Sequence, residues 1–403
     1  MKSGLFSNTN LSSMIVNRIF LFVVVFAVYG CGPEPEEIII PEKFQNLENL
    51  TAYSPATEPV SSFYFEKDME YGETDDLMIG RMGEAVVDKL GRVYIADVQM
   101  MVLNVFDANG IFIKSLGGEG RGPGEFSSYV RDVQIRNNYL YAFDPSPGRV
   151  HVFDTNTLEG IKTVILGDKR SSFSALAKTT PWIDGLFVRN DGTYVAKFIK
   201  HSTFDFIPWQ NVEAIGLLYH VNESGSIAKE LLTYISDTRT VNVLVFNYEQ
   251  FFGKKYVIMS DDNRFYMAEP DYFLVKQYSD TGEYERSFYY PIATYLLTEE
   301  SAIKSGIHEK IIVDMQKMNL PEFWPVVTDM LIDDQDQLWV ATTVENLSIY
   351  EWWVVKTSGE LVARFDWPRN KPIEYIANGN IFTKETDEES GLQQIVRYRI
   401  IIE

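Results

Sequence analysis

The stretch Val93-Tyr94-Ile95-Ala96, which follows the turn-forming residues Lys89-Leu90-Gly91, is the first of six similar phrases in this chain of 403 residues. Each phrase has an aromatic residue among apolar and small ones, a pattern typical of a β-strand, and each follows a polar turn. The other five are Leu140-Tyr141-Ala142-Phe143, Thr193-Tyr194-Val195-Ala196, Phe265-Tyr266-Met267-Ala268, Leu338-Trp339-Val340-Ala341 and Ile381-Phe382-Thr383. Such repetition indicates one structural unit copied along the chain.

The aromatic residues that mark the phrases are 43 to 73 residues apart. The short intervals match the roughly 40–50 residues of a four-stranded propeller blade, and the long ones indicate insertions. In three units a second landmark lies 12 residues after the marker, and it leads into turns such as Asn109-Gly110 and Thr281-Gly282, which suit a hairpin. We therefore predict an all-β fold, a six-bladed β-propeller of four-stranded antiparallel blades.

The alternative fold is a β-sandwich of short hairpins, but a sandwich has no reason to repeat the same landmarks six times. Residues 60–403 are predicted to form one domain, because a propeller repeats small interfaces radially and so avoids the size limit of a single core. A propeller must also join its ends. The strand-like residues near 60–70 are therefore expected to pair with the sheet formed by residues 373–402.

The N-terminus has the pattern of an export signal over residues 1–30, with Lys2 and Arg18, no acidic residue, and an apolar stretch at 19–28. Cys31, the only cysteine of the chain, follows this stretch. The junction resembles the lipobox of bacterial lipoproteins, although Tyr29 stands where a small residue is usual. The resemblance implies cleavage before Cys31, attachment of lipid to its thiol, and a membrane anchor in the cell envelope. A plain secretory signal or a buried thiol is the alternative.

Residues 31–59 are rich in Pro and Glu near the cysteine and are predicted to be an acidic tether. Glutamates directly after a lipidated cysteine resemble the surface-export signal of some Gram-negative lipoproteins. This resemblance favours the outer membrane, on its periplasmic face or on the cell surface.

The segment Leu116-Gly117-Gly118-Glu119-Gly120-Arg121-Gly122-Pro123-Gly124-Glu125-Phe126 resembles the connection between blades in NHL-type propellers and related bacterial six-bladed propeller lipoproteins. The resemblance is strong over residues 80–160, and it implies a fold and a general binding role without catalytic residues. A phosphate-binding loop is excluded, because no Gly-Lys-Ser/Thr follows the glycines and Pro123 precedes a strand pattern.

The formal net charge of −21 makes nucleic acid an improbable partner, because a phosphate backbone repels an acidic protein. The four histidines are scattered without the spacing of metal ligands, so neither a metal site nor a cofactor is predicted. Asp333-Asp334-Gln335-Asp336 lacks the central Gly and distal Glu of a calcium loop and is interpreted as a turn.

Two insertions depart from minimal blades. Residues 299–318 have helical periodicity after the capping residue Thr298, which predicts an amphipathic helix covering a blade edge or a channel mouth, with a mobile lid as the alternative. Residues 197–219 carry several aromatic side chains. We expect both insertions on one face, bordering a ligand site with Phe206, Trp209 and Trp324 as apolar contacts. Burial of these aromatics against the propeller rim is the competing interpretation.

The sequence therefore favours a monomeric binding or scaffolding module for a protein, peptide or glycan ligand. The alternative is a propeller enzyme, a hydrolase or lyase with a carboxylate or calcium-assisted site at the central channel. These hypotheses differ in one structural respect, namely whether carboxylates of the innermost strands converge on the channel.

Replacing the lipid-accepting thiol tests the anchor. In the variant Cys31→Ala the protein is expected to leave the membrane fraction or to remain unprocessed, because no sulfur is present to carry lipid. Membrane fractionation and N-terminal mass spectrometry measure this. Membrane retention with a normally processed N-terminus would remove the lipoprotein hypothesis.

Overall fold

Six sheets account for most of the chain in a computed structural model, which describes residues 38–403 apart from 76, 147, 168–181, 202–210 and 241–248. The strands in chain order are β1 (Leu50–Ala52), β2 (Phe63–Tyr71), β3 (Met82–Val87), β4 (Val93–Asp97), β5 (Val102–Phe106), β6 (Phe112–Gly117), β7 (Arg131–Arg136), β8 (Tyr139–Asp144), β9 (Arg149–Asp154), β10 (Glu159–Ile165), β11 (Trp182–Val188), β12 (Tyr194–His201), β13 (Asn211–Val221), β14 (Ile227–Thr240), β15 (Tyr256–Met259), β16 (Phe265–Ala268), β17 (Phe273–Tyr278), β18 (Tyr284–Tyr290), β19 (Val327–Ile332), β20 (Leu338–Thr343), β21 (Ile349–Val355), β22 (Leu361–Pro368), β23 (Ile373–Ala377), β24 (Asn380–Thr386) and β25 (Gln393–Ile402). The helices are α1 (Glu249–Phe252), α2 (Glu299–Lys304) and α3 (Glu309–Met315), and a short 3₁₀ turn spans Glu42–Phe44.

Each sheet is one blade of a six-bladed propeller. Blades one to five are β3–β6, β7–β10, β11–β14, β15–β18 and β19–β22, and blade six is β23–β25 completed by β2. Six buried hydrophobic clusters lie one at each interface between neighbouring blades. The core is thus divided into small radial interfaces, as the sequence analysis predicts.

The six repeated phrases are the second strands of the six blades, and their marker aromatics are all buried. The preceding turn explains why an aromatic recurs there. The Asp88 carboxylate accepts backbone hydrogen bonds within its turn, and it also accepts a hydrogen bond from the Tyr94 hydroxyl at 3.0 Å. In blade five Asp333 accepts the backbone N–H of Gln335 at 2.9 Å and the indole of Trp339 at 2.9 Å. The acidic stretch at 333–336 is therefore a turn, as predicted.

The ends of the chain close the ring. Strand β2 pairs antiparallel with β25, from Phe63 opposite Ile402 to Tyr71 opposite Ile395. Arg397 joins Asp68 across this pair at 2.7 Å. The expected pairing of residues 60–70 with the sheet formed by residues 373–402 is confirmed.

The described residues of the predicted tether pack on the propeller. Strand β1 adds to the outer edge of blade four in parallel with β18. The ring of Phe44 lies 5.0 Å from that of Tyr272, and Tyr53 stacks on Tyr290 at 5.1 Å. Apolar side chains in this stretch favour burial over solvation, so from residue 38 onward the segment belongs to the folded unit.

The glycine-rich segment carries the chain from β6, the outermost strand of blade one, to β7, the innermost strand of blade two, as the resemblance implies. Phe126 at its end is fully buried. A Cβ on Gly117, whose φ is +89°, would lie 2.3 Å from the Phe126 ring. The glycine thus permits both the turn and the close packing of this ring.

The helical insertion is present as two short helices rather than one. Thr298 caps α2 by accepting the Ser301 backbone N–H at 3.1 Å. Gly306, with φ of +80°, follows α2 and interrupts the helical path before α3 begins. Among the described residues no helix has the length and apolar character needed to span a membrane.

Removal of the closing strand tests the ring. Deleting residues 60–71 is expected to lower the melting temperature by about 10 °C or more, because it exposes several aromatic side chains and leaves blade six with three strands. Deleting residues 32–37, which precede the packed segment, is expected to change it by about 2 °C or less. Equal effects in thermal unfolding would show that the β2–β25 pairing does not hold the ring together.

Candidate functional site: the axial cavity

The innermost strands β3, β7, β11, β15, β19 and β23 surround a cavity of about 400 Å³ on the propeller axis. Apolar side chains form much of its wall, among them Ile135, Phe187, Ile258, Leu331 and Tyr375. Glu84 and Asp132 also line it. In all, seven acidic side chains and the basic side chains of Lys89 and Arg136 belong to the lining, so the cavity is partly apolar and otherwise predominantly acidic.

Five of the six innermost strands contain a β-bulge, and each bulge includes or adjoins a carboxylate. An extra residue in a bulge re-aims side chains, and bulges are common beside functional sites. Strand β15 of blade four has no bulge and no acidic residue. The carboxylates of this acidic arc are Glu84, Asp132, Asp184, Asp329 and Glu374.

Basic side chains neutralise part of the arc. Lys197 lies 2.8 Å from Asp184, and Lys384 lies 3.2 Å from Glu374. Arg131 Nε lies 3.2 Å from Asp132 Oδ2, which makes the two an ion pair. They are not aligned as a hydrogen bond, so this buried carboxylate oxygen has no hydrogen-bond partner. Asp132 also has a φ of +47°, which is uncommon outside glycine.

Burial and mutual repulsion raise the pKa of the less compensated carboxyl groups. For Asp132, burial and then the charge of Glu84 raise the pKa to about 7. Burial raises the pKa of Glu84, and Glu374 raises it further. Burial raises the pKa of Asp329 to about 6, against the opposing effect of Lys254. Such groups are either cation acceptors or proton donors near neutral pH.

Glu84 is positioned by the backbone of the next blade. The backbone N–H of Val133 donates to Glu84 Oε2 at 3.1 Å, which places the Glu84 carboxylate beside the bulge that contains Asp132. Asp329 Oδ1 accepts its neighbour Met330 N–H at 2.8 Å. Glu84 and Asp132 thus come together at the cavity wall, and the charges of Glu374 and Asp184 act on the pKa values of these two groups.

The turns at one end of the channel form a belt of hydrogen bonds between blades. Asn378 links blade six to its two neighbours. Its backbone N–H donates to Asp334 Oδ2 at 2.8 Å, and its Nδ2 donates to the Asp88 carbonyl at 3.1 Å. The Asp261 backbone donates to Asp336 at 3.0 Å, which joins blades four and five. These bonds fix the spacing of the innermost strands at this mouth.

Sequence reasoning missed the acidic arc, although a signal was present. Glu84 and Asp329 lie 10 residues before the marker aromatics Tyr94 and Trp339, and Asp132 lies 9 before Tyr141. An acidic residue at a nearly constant distance before the marker occupies a similar place in each of these blades. Among the described histidines, His151 is fully buried and its ring packs edge-on against that of Phe126.

Trp324 packs against the inserted helices, and its side chain is only 5% exposed, so its role as a ligand contact stays a prediction. Its indole donates to Ser301 Oγ at 3.0 Å and its ring lies 5.9 Å from Phe251. Replacing Trp324 would therefore act first on stability. Phe206 and Trp209 lie outside the described residues, so their ligand-binding role stays a prediction.

The two insertions are adjacent where the structure describes them. Asn211, at the start of β13 within the second insertion, donates through Nδ2 to the carbonyl of Asn319, which directly follows the first insertion, at 3.0 Å. Across residues 38–403, outside the undescribed stretches, no three His, Cys, Asp or Glu side chains are grouped as ligands for a metal ion.

Comparisons with known proteins agree with this architecture. The model of the DUF5128 family, described as a 6-bladed beta-propeller, matches residues 73–182. None of the curated proteins matches the chain. The match covers the first blades, including the glycine-rich connection.

Solved structures share the fold at low identity. A member of the DUF4221 family from Bacteroides vulgatus ATCC 8482 has a TM-score of 0.51 at 10% identity, over 85% of this chain and 99% of its own. A putative exported protein from Bacteroides fragilis NCTC 9343 gives 0.49 at 11%, over 87% and 99%. Virginiamycin B lyase from Staphylococcus aureus gives 0.40 at 11%, over 84% and 100%. At 10% identity, the likeness to the DUF4221 protein shows the fold alone. This chain is a six-bladed β-propeller.

The raised pKa of Asp132 has a measurable consequence for stability. Folding raises this pKa from 3.8 to about 7, so the folded protein keeps a proton that the unfolded chain releases. The associated stability is present below about pH 4 and lost as pH rises through about 7. Asp132→Asn is therefore expected to melt a few degrees above wild type at pH 8, with the difference shrinking toward pH 4.

Asp366→Asn, on the outermost strand of blade five, is the matched control and is expected to show no such trend. Thermal unfolding between pH 4 and pH 8 measures both variants. A constant difference between Asp132→Asn and wild type across this range would contradict the raised pKa.

Proposed function

We propose that this propeller is a lipid-anchored binding module of the cell envelope that takes a cationic group of its ligand into the axial cavity. The observation that carries the proposal is that Glu84 and Asp132, two carboxylates of the acidic arc without a lysine partner among the described residues, both line this cavity. A fold does not need like charges at its axis, and their mutual repulsion lowers its stability. A cation between them would relieve both burial and repulsion.

A basic peptide or protein segment fits the cavity better than a glycan. Lysine and arginine carry their charge on long, partly apolar stems. The cavity has apolar walls together with seven acidic side chains, against the two basic ones of Lys89 and Arg136. Its volume of about 400 Å³ suits one or two side chains and not a folded domain. The ligand is therefore expected to insert a side chain or chain end from a flexible segment.

The anchor is part of the same proposal. Cys31 would carry the lipid, and residues from Ile40 onward pack on blade four as part of the folded unit. The outer membrane is the preferred location, because acidic residues follow Cys31 closely.

A second candidate function is supported by one particular pair of residues. Glu84 adjoins the bulge that contains Asp132, and the pKa of Asp132 is raised to about 7. One protonated and one ionised carboxyl can act as general acid and general base at neutral pH, as hydrolases and lyases require. The enzyme hypothesis thus uses the same cavity.

Matched peptides test the binding proposal. The probe is acetyl-Ala-Lys-Ala-amide, and its control is the same peptide with norleucine, which keeps the side-chain stem without the charge. At pH 8 and low salt, calorimetry is expected to detect the lysine peptide and not the norleucine peptide. Binding is expected to weaken at least fivefold at pH 6, because Asp132 gains a proton, and at least fivefold in Asp132→Asn.

Asp366→Asn is expected to bind the lysine peptide as wild type does. Equal binding of both peptides, or no binding of the lysine peptide at 10 mM, would overturn the cationic-ligand proposal. Conversion of either peptide by wild type but not by Asp132→Asn, seen by mass spectrometry, would favour the enzyme hypothesis.

A further inference from the structure

A second cavity, of about 440 Å³, lies between blades four and five beneath the inserted helices. Its chemistry is opposite to that of the axial cavity, because the described residues that line it include two basic side chains and no acidic one. The lining residues are Gly253, Lys254, Tyr256, Ser305, Ile307, Trp324, Pro325, Val327, Thr328, Thr343, Tyr350 and Arg369. In a chain with a net charge of −21 this is an unusual local composition.

Arg369 is held in place without a carboxylate. Its Nε donates to the Ile349 carbonyl at 2.9 Å, and its guanidinium carbon lies 4.2 Å from the centre of the Tyr350 ring. One of its terminal nitrogens, Nη2, is buried and has no hydrogen-bond partner. Burial lowers the pKa of this guanidinium. A fixed, incompletely compensated arginine is a ready partner for a bidentate anion.

Lys254 supplies the second positive charge. Its Nζ lies 5.1 Å from the centre of the Tyr256 ring. The acidic group whose pKa it lowers is Asp329 at the end of the acidic arc. Lys254 comes just before β15, the innermost strand that lacks a bulge carboxylate, so the acidic arc ends where this basic cavity begins.

The remaining wall determines what kind of anion would fit. Tyr256 and Tyr350 present aromatic rings, and Ile307, Pro325 and Val327 present apolar surface. Hydroxyl groups of Ser305, Thr328 and Thr343 complete the lining. A small inorganic ion would leave most of 440 Å³ empty, whereas a ring of six atoms that carries a carboxylate would meet both the apolar wall and the two cations.

We infer that this cavity binds a carboxylate attached to a six-membered ring, with Lys254 and Arg369 as the anion-binding side chains and the tyrosine rings beside the body of the ligand. An aromatic acid and a sugar acid share this chemistry. The site is separate from the acidic arc, and its test does not depend on the proposal for the axial cavity.

The probes are benzoate and D-glucuronate, with benzamide and D-glucose as their neutral counterparts and inorganic phosphate as a small anion. At low salt, calorimetry and thermal shift with the full protein are expected to detect benzoate or glucuronate in the millimolar range or tighter. The two acids distinguish an aromatic from a sugar ligand. Neither neutral counterpart is expected to bind, because the cations would lack a partner.

Lys254→Gln and Arg369→Gln are each expected to weaken binding of the acid at least tenfold. Lys356→Gln, which removes an exposed charge from a turn of blade five, is the matched control and is expected to bind as wild type does. Asp132→Asn is also expected to retain binding, which separates this site from the axial cavity. If Arg369→Gln does not fold, the binding of the acid to Lys254→Gln alone tests the inference.

Three results would overturn the inference. The first is the absence of binding of both acids at 10 mM. The second is unchanged binding of the acid in Lys254→Gln. The third is binding of phosphate as strongly as the ring carboxylates, which would mean a site for a simple ion and no role for the apolar wall.

Discussion

The pairing of β2 with β25 is the interaction on which the rest of the molecule depends. It joins a strand near the start of the domain to the last strand of the chain and thereby fixes the sixth blade. Without it the blades would form an open arc, since each contacts only its neighbours through a small hydrophobic cluster. Closure gives the six innermost strands fixed positions around the axis, and these strands bound the axial cavity.

Closure also brings like charges together. Glu84, Asp132 and Asp329 belong to different blades, and the ring directs their carboxyl groups toward one axis with limited neutralisation. This arrangement opposes stability at neutral pH. Proteins retain such unfavourable groups mainly where function requires them, and the bulges that aim these side chains indicate a site and not an accident of packing.

The departures from minimal blades determine where the second cavity lies. The helices α2 and α3 cover one side of blades four and five. The Trp324 indole donates a hydrogen bond to Ser301 of α2, and its ring packs against Phe251 of α1. Blade four lacks the bulge carboxylate and is preceded by Lys254 instead. An acidic and a basic cavity therefore occur close together on one rigid scaffold, although they are built from different blades and can be tested separately.

The sequence by itself determined the number of blades, their second strands, and the closing strand. Local patterns decide these features, because a buried aromatic beside a turn such as Asp88 with Tyr94 is stabilised within a few residues. Only the tertiary structure decided the sites. Glu84 and Asp132 are 48 residues apart in sequence and come together because β3 of blade one packs against β7 of blade two. Lys254 and Arg369 line one cavity between blades four and five. Likewise, burial of Phe44 and Trp324 depends on surfaces contributed by distant strands, which no local pattern encodes.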